Sequence, residues 1–176
     1  MEEVYMKILF YSRYVERGKG CRIEDTGGKG YSIFGDKLVK KHGCKINSCY
    51  DEITKKTLEN YEILVIAKPS NSRFSKNKEI PVITDFVQNG GGLFLLHDEP
   101  GDYGNKTNLN DLSREFGITF DEGLIGDCKD FKSGWLTRPI IHEFENHPIT
   151  KGVKKIWYWG CGVTGETPTA KVCEMG

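Results

Sequence analysis

The chain has 176 residues, with 25 Lys plus Arg against 25 Asp plus Glu and 38% hydrophobic residues. So even a charge balance argues against nucleic acid or an anionic membrane as the main partner. No apolar run approaches the roughly 20 residues of a membrane span. The acidic opening Met1-Glu2-Glu3 lacks the start of a signal peptide. The expectation is a single soluble, cytoplasmic domain over 1–176, without membrane insertion.

In chain order, Met6–Tyr11 reads as a first strand, followed by a long polar loop from Ser12 to Tyr31. Ser32 is placed to cap a helix running to His42, with Phe34 and Leu38 on its buried face and Gly43 at its end. Cys44–Asn47 is a weak second strand near a sheet edge. Thr54–Asn60 is a short helix with Leu58 inward, and Glu62–Ala67 is a clear apolar strand. Ser75 is a candidate cap for the next helix, whose start Pro81 makes irregular.

Ile80, Ile83 and Val87 at i, i+3 and i+7 give that helix an apolar face. Asn89 to Gly92 end it. Leu93–Leu96 is an unbroken apolar run, the pattern of a strand covered on both faces. It ends abruptly in His97, Asp98 and Glu99.

Glu99–Lys106 reads as loop. A helix after Asn108 carries Leu109, Leu112 and Phe116 to Gly117, and Ile118–Phe120 is a short strand. Asp121–Arg138 is irregular, and Pro139–Phe144 is a candidate short helical turn. His147–Val153 is a loop, Ile156–Trp159 an aromatic strand and Ala170–Cys173 a candidate last strand. Alternation of strands and helices predicts right-handed crossovers and a flavodoxin-like α/β three-layer sandwich with a mainly parallel sheet. Met6–Tyr11, Glu62–Ala67 and Leu93–Leu96 are expected as neighbouring inner strands, in the order 2-1-3-4.

Several pieces together carry a family resemblance. They are GYSIFGDKL, ITKKTLENYEILVIAKP, FSKNKEIPVITDFVQNGGGLFLLHD, LNDLSREFGITF and HPITKGVKKI. The chain from Met6 to Ile156 resembles the class I glutamine-amidotransferase-like superfamily, in a branch lacking the catalytic cysteine. That branch includes domains of gliding-motility-type ABC transporter accessory proteins and of an intraflagellar-transport protein. Trehalose-utilisation-like proteins share the GGGL strand and the HPI loop. The resemblance implies the fold and no activity by itself.

Active members of that superfamily place a glycine-flanked cysteine after the central strand. Here the position reads LLHDEPGD, with neither cysteine nor serine. Cys161, between Gly160 and Gly162, is the one thiol in a suggestive setting, although no helix signal follows to lower its pKa. The other cysteines, Cys21, Cys44, Cys49, Cys128 and Cys173, form no C-x-x-C pair. Free thiols are the reading for a reducing cytosol, with a Cys44–Cys49 bridge left open.

In open parallel sheets, ligands bind beyond the carboxyl ends of strands. The expected ligand-binding cleft is therefore lined by Tyr11, Ser12, Lys68, Pro69, His97, Asp98 and Glu99, overhung by the Arg13–Tyr31 loop. No catalytic residue, metal ligand or cofactor is assigned. His97, Asp98 and Glu99 with His142, Glu143 and His147 carry the right donors for a metal but no ligand-spacing motif. Gly27–Ser32 is either a solvated loop or an anion contact. Trp157, Tyr158 and Trp159 with Trp135 form either a half-buried edge strand or a stacking surface for sugar or protein.

The first functional reading is a non-catalytic domain that binds a small molecule or a protein partner. The alternative is a hydrolase or lyase using His97, Asp98 and Glu99, with or without a metal. A third reading is a subunit of a larger assembly, including a homo-oligomer, with exposed Trp157 or Trp159 marking the interface.

Overall fold

The computed structural model describes residues 5–13, 21–71, 73–130 and 134–165. They form two compact units. One comprises the chain up to Leu96 together with Lys106–Leu112. The other comprises His97–Asn105 together with the chain from Ser113 on.

The first unit holds a four-stranded parallel sheet in the order β2-β1-β3-β4, the predicted order. The strands are β1 (Lys7–Tyr11), β2 (Lys45–Cys49), β3 (Ile63–Ala67) and β4 (Gly92–Leu96). Three helices, α1 (Ser32–His42), α2 (Lys55–Leu58) and α3 (Glu79–Gln88), connect them. The path reverses at β1, so right-handed crossovers put α1 on one face and α2 and α3 on the other. The register aligns Ile8 with Ile46 and Ile63, and Val65 with Phe94, so these side chains share the α1 face. There Ile8, Phe10, Cys44, Val65 and Ala67 form a buried cluster, with Leu38, Ile46 and Tyr31 packed on it. Ile8, Phe10 and Val65 each contribute about 1.5–3 kcal/mol on burial.

Local expectations are corrected in several places. Ser32 is the first residue of α1, and Tyr31 precedes it without a side-chain cap. The residue α1 buries is Gly35, while Phe34 is largely exposed. A Cβ on Gly35 would lie 2.9 Å from Ile23 Cδ1, so the bare glycine sets how closely the helix approaches. Gly43 ends α1 in the left-handed conformation at φ 63, as expected. Ser75 acts through its backbone: its carbonyl accepts from the Lys78 and Ile80 amides. Pro81 is the third residue of α3, where a missing amide breaks no helical bond.

β4 is not an inner strand. It is the last strand of the described sheet, and Phe94 is 44% exposed. Glu99–Lys106 is not a plain loop: Gly101–Asn105 is a short helix, α4. In place of a helical turn at Pro139–Phe144, Ile140–Ile141 form a strand, β6.

A further helix, α5 (Leu109–Ser113), runs into a 3-10 turn, Arg114–Phe116, which left-handed Gly117 closes. Asn108 just before α5 brackets Phe74, accepting from its amide at 2.7 Å and donating to its carbonyl at 3.0 Å. The second unit is built from short antiparallel ladders. β5 (Thr119–Phe120) pairs with β8 (Val163–Thr164), and β6 pairs with β7 (Ile156–Trp157). The expected strand at Ala170–Cys173 and part of the Arg13–Tyr31 loop, residues 14–20, lie outside the described residues. Cys21, Cys44, Cys49, Cys128 and Cys161 are free thiols, so Cys44 and Cys49 are not bridged. Among the described residues, no helix is long and apolar enough to cross a membrane.

Candidate functional site

The seven carboxyl-edge residues are divided between the units. Tyr11, Ser12, Lys68 and Pro69 belong to the first, and His97, Asp98 and Glu99 to the second. In the first unit the β1 end is turned inward. Tyr11 is buried, its ring 5.5 Å from that of Phe74, and its hydroxyl donates to Glu79 Oε1 at 2.9 Å. Ser12 is fully buried, and its Oγ has no hydrogen-bond partner. Pro69 is buried too. Lys68 takes a left-handed turn at φ 49, and its amide donates to the Leu96 carbonyl.

Glu79 was not singled out in the sequence, yet it organises this region. Its carboxylate is buried and accepts from Tyr11, from the Arg13 guanidinium at 3.4 Å, and from the Ile53 and Ser75 amides. A buried carboxylate is tolerable only with such a full set of donors. Its place at the start of α3 also puts negative charge at the positive end of the helix dipole. That position, a Glu in the first turn before Pro81, was the only signal in the sequence.

In the second unit the His97 side chain is 1% exposed and its Nε2 lies 3.0 Å from Asp102 Oδ1 in α4. Its ring meets Phe120 edge-on at 5.2 Å. The Asp98 carbonyl accepts from the Gly101 amide and from Asn105 Nδ2, which closes the loop into α4. His97 Nδ1 and Glu99 Oε2 are buried without a hydrogen-bond partner. His142 Nε2 lies 2.6 Å from Asp130 Oδ2, and His147 Nδ1 accepts from the Ile149 amide to order its turn. Among the described residues, no three His, Cys, Asp or Glu side chains are placed to share a metal ion. At Gly27–Ser32 the amides of Gly30, Tyr31 and Ser32 donate to the carbonyls of Gly27, Arg22 and Asp25. Those three amides are spent on the turn itself, which favours the loop over the anion contact.

Cys161 is buried, and Tyr158 donates its hydroxyl to the Cys161 carbonyl. Burial pushes the Cys161 thiol up to about 11, and the negative charges of Asp121, Asp98 and Glu122 add to the rise. At pH 7 such a thiol is roughly 10⁻⁴ ionised, the opposite of an activated nucleophile.

The three tryptophans of the chain converge on one arginine. The Arg138 guanidinium carbon lies 4.4 Å from the ring centres of Trp135 and Trp159 and 5.8 Å from that of Trp157. Trp135, Trp157 and Trp159 are 57%, 47% and 45% exposed. An edge strand with one tryptophan face in the core would not look like this. Each cation–π contact contributes about 0.5–1 kcal/mol at an exposed site and holds the rings in place before any partner arrives. Trp135 is grouped with the aromatic strand from the sequence, but nothing in the sequence spacing linked Arg138 to it.

The fold and the carboxyl edge together define a flavodoxin-like α/β domain with no amidotransferase-type nucleophile after its fourth strand. More particularly, the chain belongs to the IFT52 GIFT domain family, whose sequence model matches residues 27–132. It is 31% identical over 100 residues to the human "Intraflagellar transport protein 52 homolog", a match covering 57% of this chain and 22% of that protein. A solved structure, "mmIFT52 N-terminal domain", shares the fold with a TM-score of 0.79 at 22% identity, over 97% of this chain and 73% of that one. The intraflagellar-transport side of the resemblance is thereby supported. The wider amidotransferase-like grouping rests on the sequence motifs alone.

Proposed function

We propose that this chain is a non-catalytic protein-interaction domain of an intraflagellar-transport assembly, and that the Trp135–Trp157–Trp159–Arg138 surface is where it grips a partner subunit. The observation that carries the reading is the convergence of three half-exposed indoles on one guanidinium. Tryptophan and arginine are the residue types in which binding energy concentrates at protein interfaces. Family membership supports the assembly, and the protonated Cys161 and inward-held His97 speak against the hydrolase or lyase alternative.

A second reading keeps a small polar ligand beyond the carboxyl end of β4, touching His97, Asp98 and Glu99. The unpartnered atoms His97 Nδ1 and Glu99 Oε2 favour it. The test is co-purification of the tagged chain from flagellated cells, with Trp157→Ala plus Trp159→Ala and His97→Ala plus Asp98→Ala as comparisons. The first reading expects intraflagellar-transport subunits with wild type and their loss in the tryptophan variant alone. Their retention in the tryptophan variant and loss in the His97/Asp98 variant would move the site to the carboxyl edge.

A further inference from the structure

The two faces of the parallel sheet are unequally covered. Four strands at about 4.8 Å spacing leave room for two helices per face, since helices pack 8–10 Å apart. On one face α2 and α3 pack against each other. On the other, α1 lies against β2 and its Leu38 packs on the buried cluster that includes Val65 and Ala67, which leaves β4 the less covered strand, with Phe94 exposed. The opening is a groove of about 550 Å³ lined by apolar residues, among them Met6, Ile8, Phe34, Val65 and Phe94. Met6, Phe34 and Phe94 are all markedly exposed there. The run Leu93–Leu96 has the sequence of a strand covered on both faces, and the groove is where its cover is missing.

Among the described residues, no carboxylate lines the groove. Lys37 and Lys41 fall on the same side of α1 as Phe34, by helical periodicity, and both are exposed. Neither is ion-paired among the described residues, and Asp36, the acid of this helix, is paired with Lys40 at 2.7 Å. The lining is apolar and Lys37 and Lys41 flank it on α1. We propose that this groove docks an acidic amphipathic helix of a partner protein, laid beside α1 with its apolar stripe on Phe94, Met6 and Phe34. This surface is separate from the tryptophan cluster and does not depend on it.

The probe is a fluorescein-labelled 18-residue amphipathic helix with leucines on one face and glutamates on the other, titrated with the 176-residue chain. Its counterpart with lysines replacing the glutamates is the control. The expected result is saturable binding of the acidic peptide and at least tenfold weaker binding of the basic one. Phe94→Glu weakens the acidic peptide at least tenfold, and Lys37→Glu plus Lys41→Glu at least fivefold, while Val39→Glu elsewhere on α1 changes nothing. Circular dichroism checks folding, and Met6→Glu replaces Phe94→Glu if the latter unfolds. Absence of binding, equal binding of the two peptides, or indifference to Phe94→Glu and Met6→Glu would overturn the proposal. So would a dimer in light scattering that Phe94→Glu dissolves, which assigns the groove to a second copy. Displacement of the probe by a synthetic peptide of residues 166–176 would assign it to the chain itself.

Discussion

A single carboxylate carries four interactions at the start of α3. Glu79 accepts from Tyr11, Arg13, Ile53 and Ser75, and truncating it leaves those donors facing a hole. Glu79→Ala is expected to destabilise the protein by about 3 kcal/mol, as loss of one member of a buried charged network does. Tyr11→Phe, which removes one donor and keeps the ring against Phe74, is expected to cost about 1–2 kcal/mol. Urea unfolding curves measure both, and equal costs would show that Glu79 is held by Tyr11 alone. Cys161 gives the second residue-level expectation. With its thiol protonated and no cysteine or serine after β4, wild type and Cys161→Ala should both release ammonia from glutamine no faster than buffer. Turnover that the substitution abolishes would make Cys161 a nucleophile and overturn the non-catalytic reading.

At the scale of elements, β1 and β3 were legible as unbroken apolar runs, the pattern of strands covered on both faces, and α3 because Ile80, Ile83 and Val87 recur at helical spacing. The errors fell where tertiary context decides. Phe34 looked like a core residue of α1, but Gly35 lets the helix approach Ile23 and Ile46, and Leu38 packs on the core while Phe34 stays 37% exposed. α4 was hidden because two glycines and an asparagine among its five residues are poor helix formers. What builds α4 is closure of the loop by Asn105 and the fit of Gly101 against the Asp121 backbone. Gly101 has φ +75, and a Cβ there would lie 2.4 Å from the Asp121 carbonyl oxygen. Gly101→Ala is therefore expected to cost about 3 kcal/mol, a left-handed penalty plus a clash with backbone that cannot rotate away. Gly152 has φ +82 in open space, so Gly152→Ala is expected to cost only about 1 kcal/mol. Thermal melts of the two variants separate close approach from backbone conformation, and equal shifts would remove the role assigned to Gly101.

For the molecule as a whole, the order β2-β1-β3-β4 was readable from the alternation of elements, whereas the surfaces were not. The carboxyl-end rule pointed to seven residues, yet Tyr11 and His97 turn inward to Glu79 and Asp102. The tryptophan cluster needs Trp135 and Arg138 to come from an irregular segment without periodicity, and a pattern cannot pair residues that only folding brings together. The same cluster of irregular segments sets how the fold responds to alkali. Burial pushes the Tyr158 hydroxyl up to about 12, with Cys161 and Asp98 adding to it, and burial pushes the Cys161 thiol up to about 11. Both groups bind protons more tightly folded than unfolded. From the ordinary thiol value of 9.0 upward, the unfolded chain gives up these protons first. Unfolding then releases protons, and stability falls as pH rises. The contribution is fully present below about pH 8 and is lost as pH climbs through about 11 and then about 12. Urea midpoints measured from pH 7 to 11.5 should stay level and then drop. Cys161→Ala and Tyr158→Phe should each make the drop shallower, and the double variant should fall short of the sum, because the Cys161 thiolate charge raises the proton affinity of Tyr158. A drop of unchanged steepness in all three variants would show that the alkaline loss arises elsewhere in the chain.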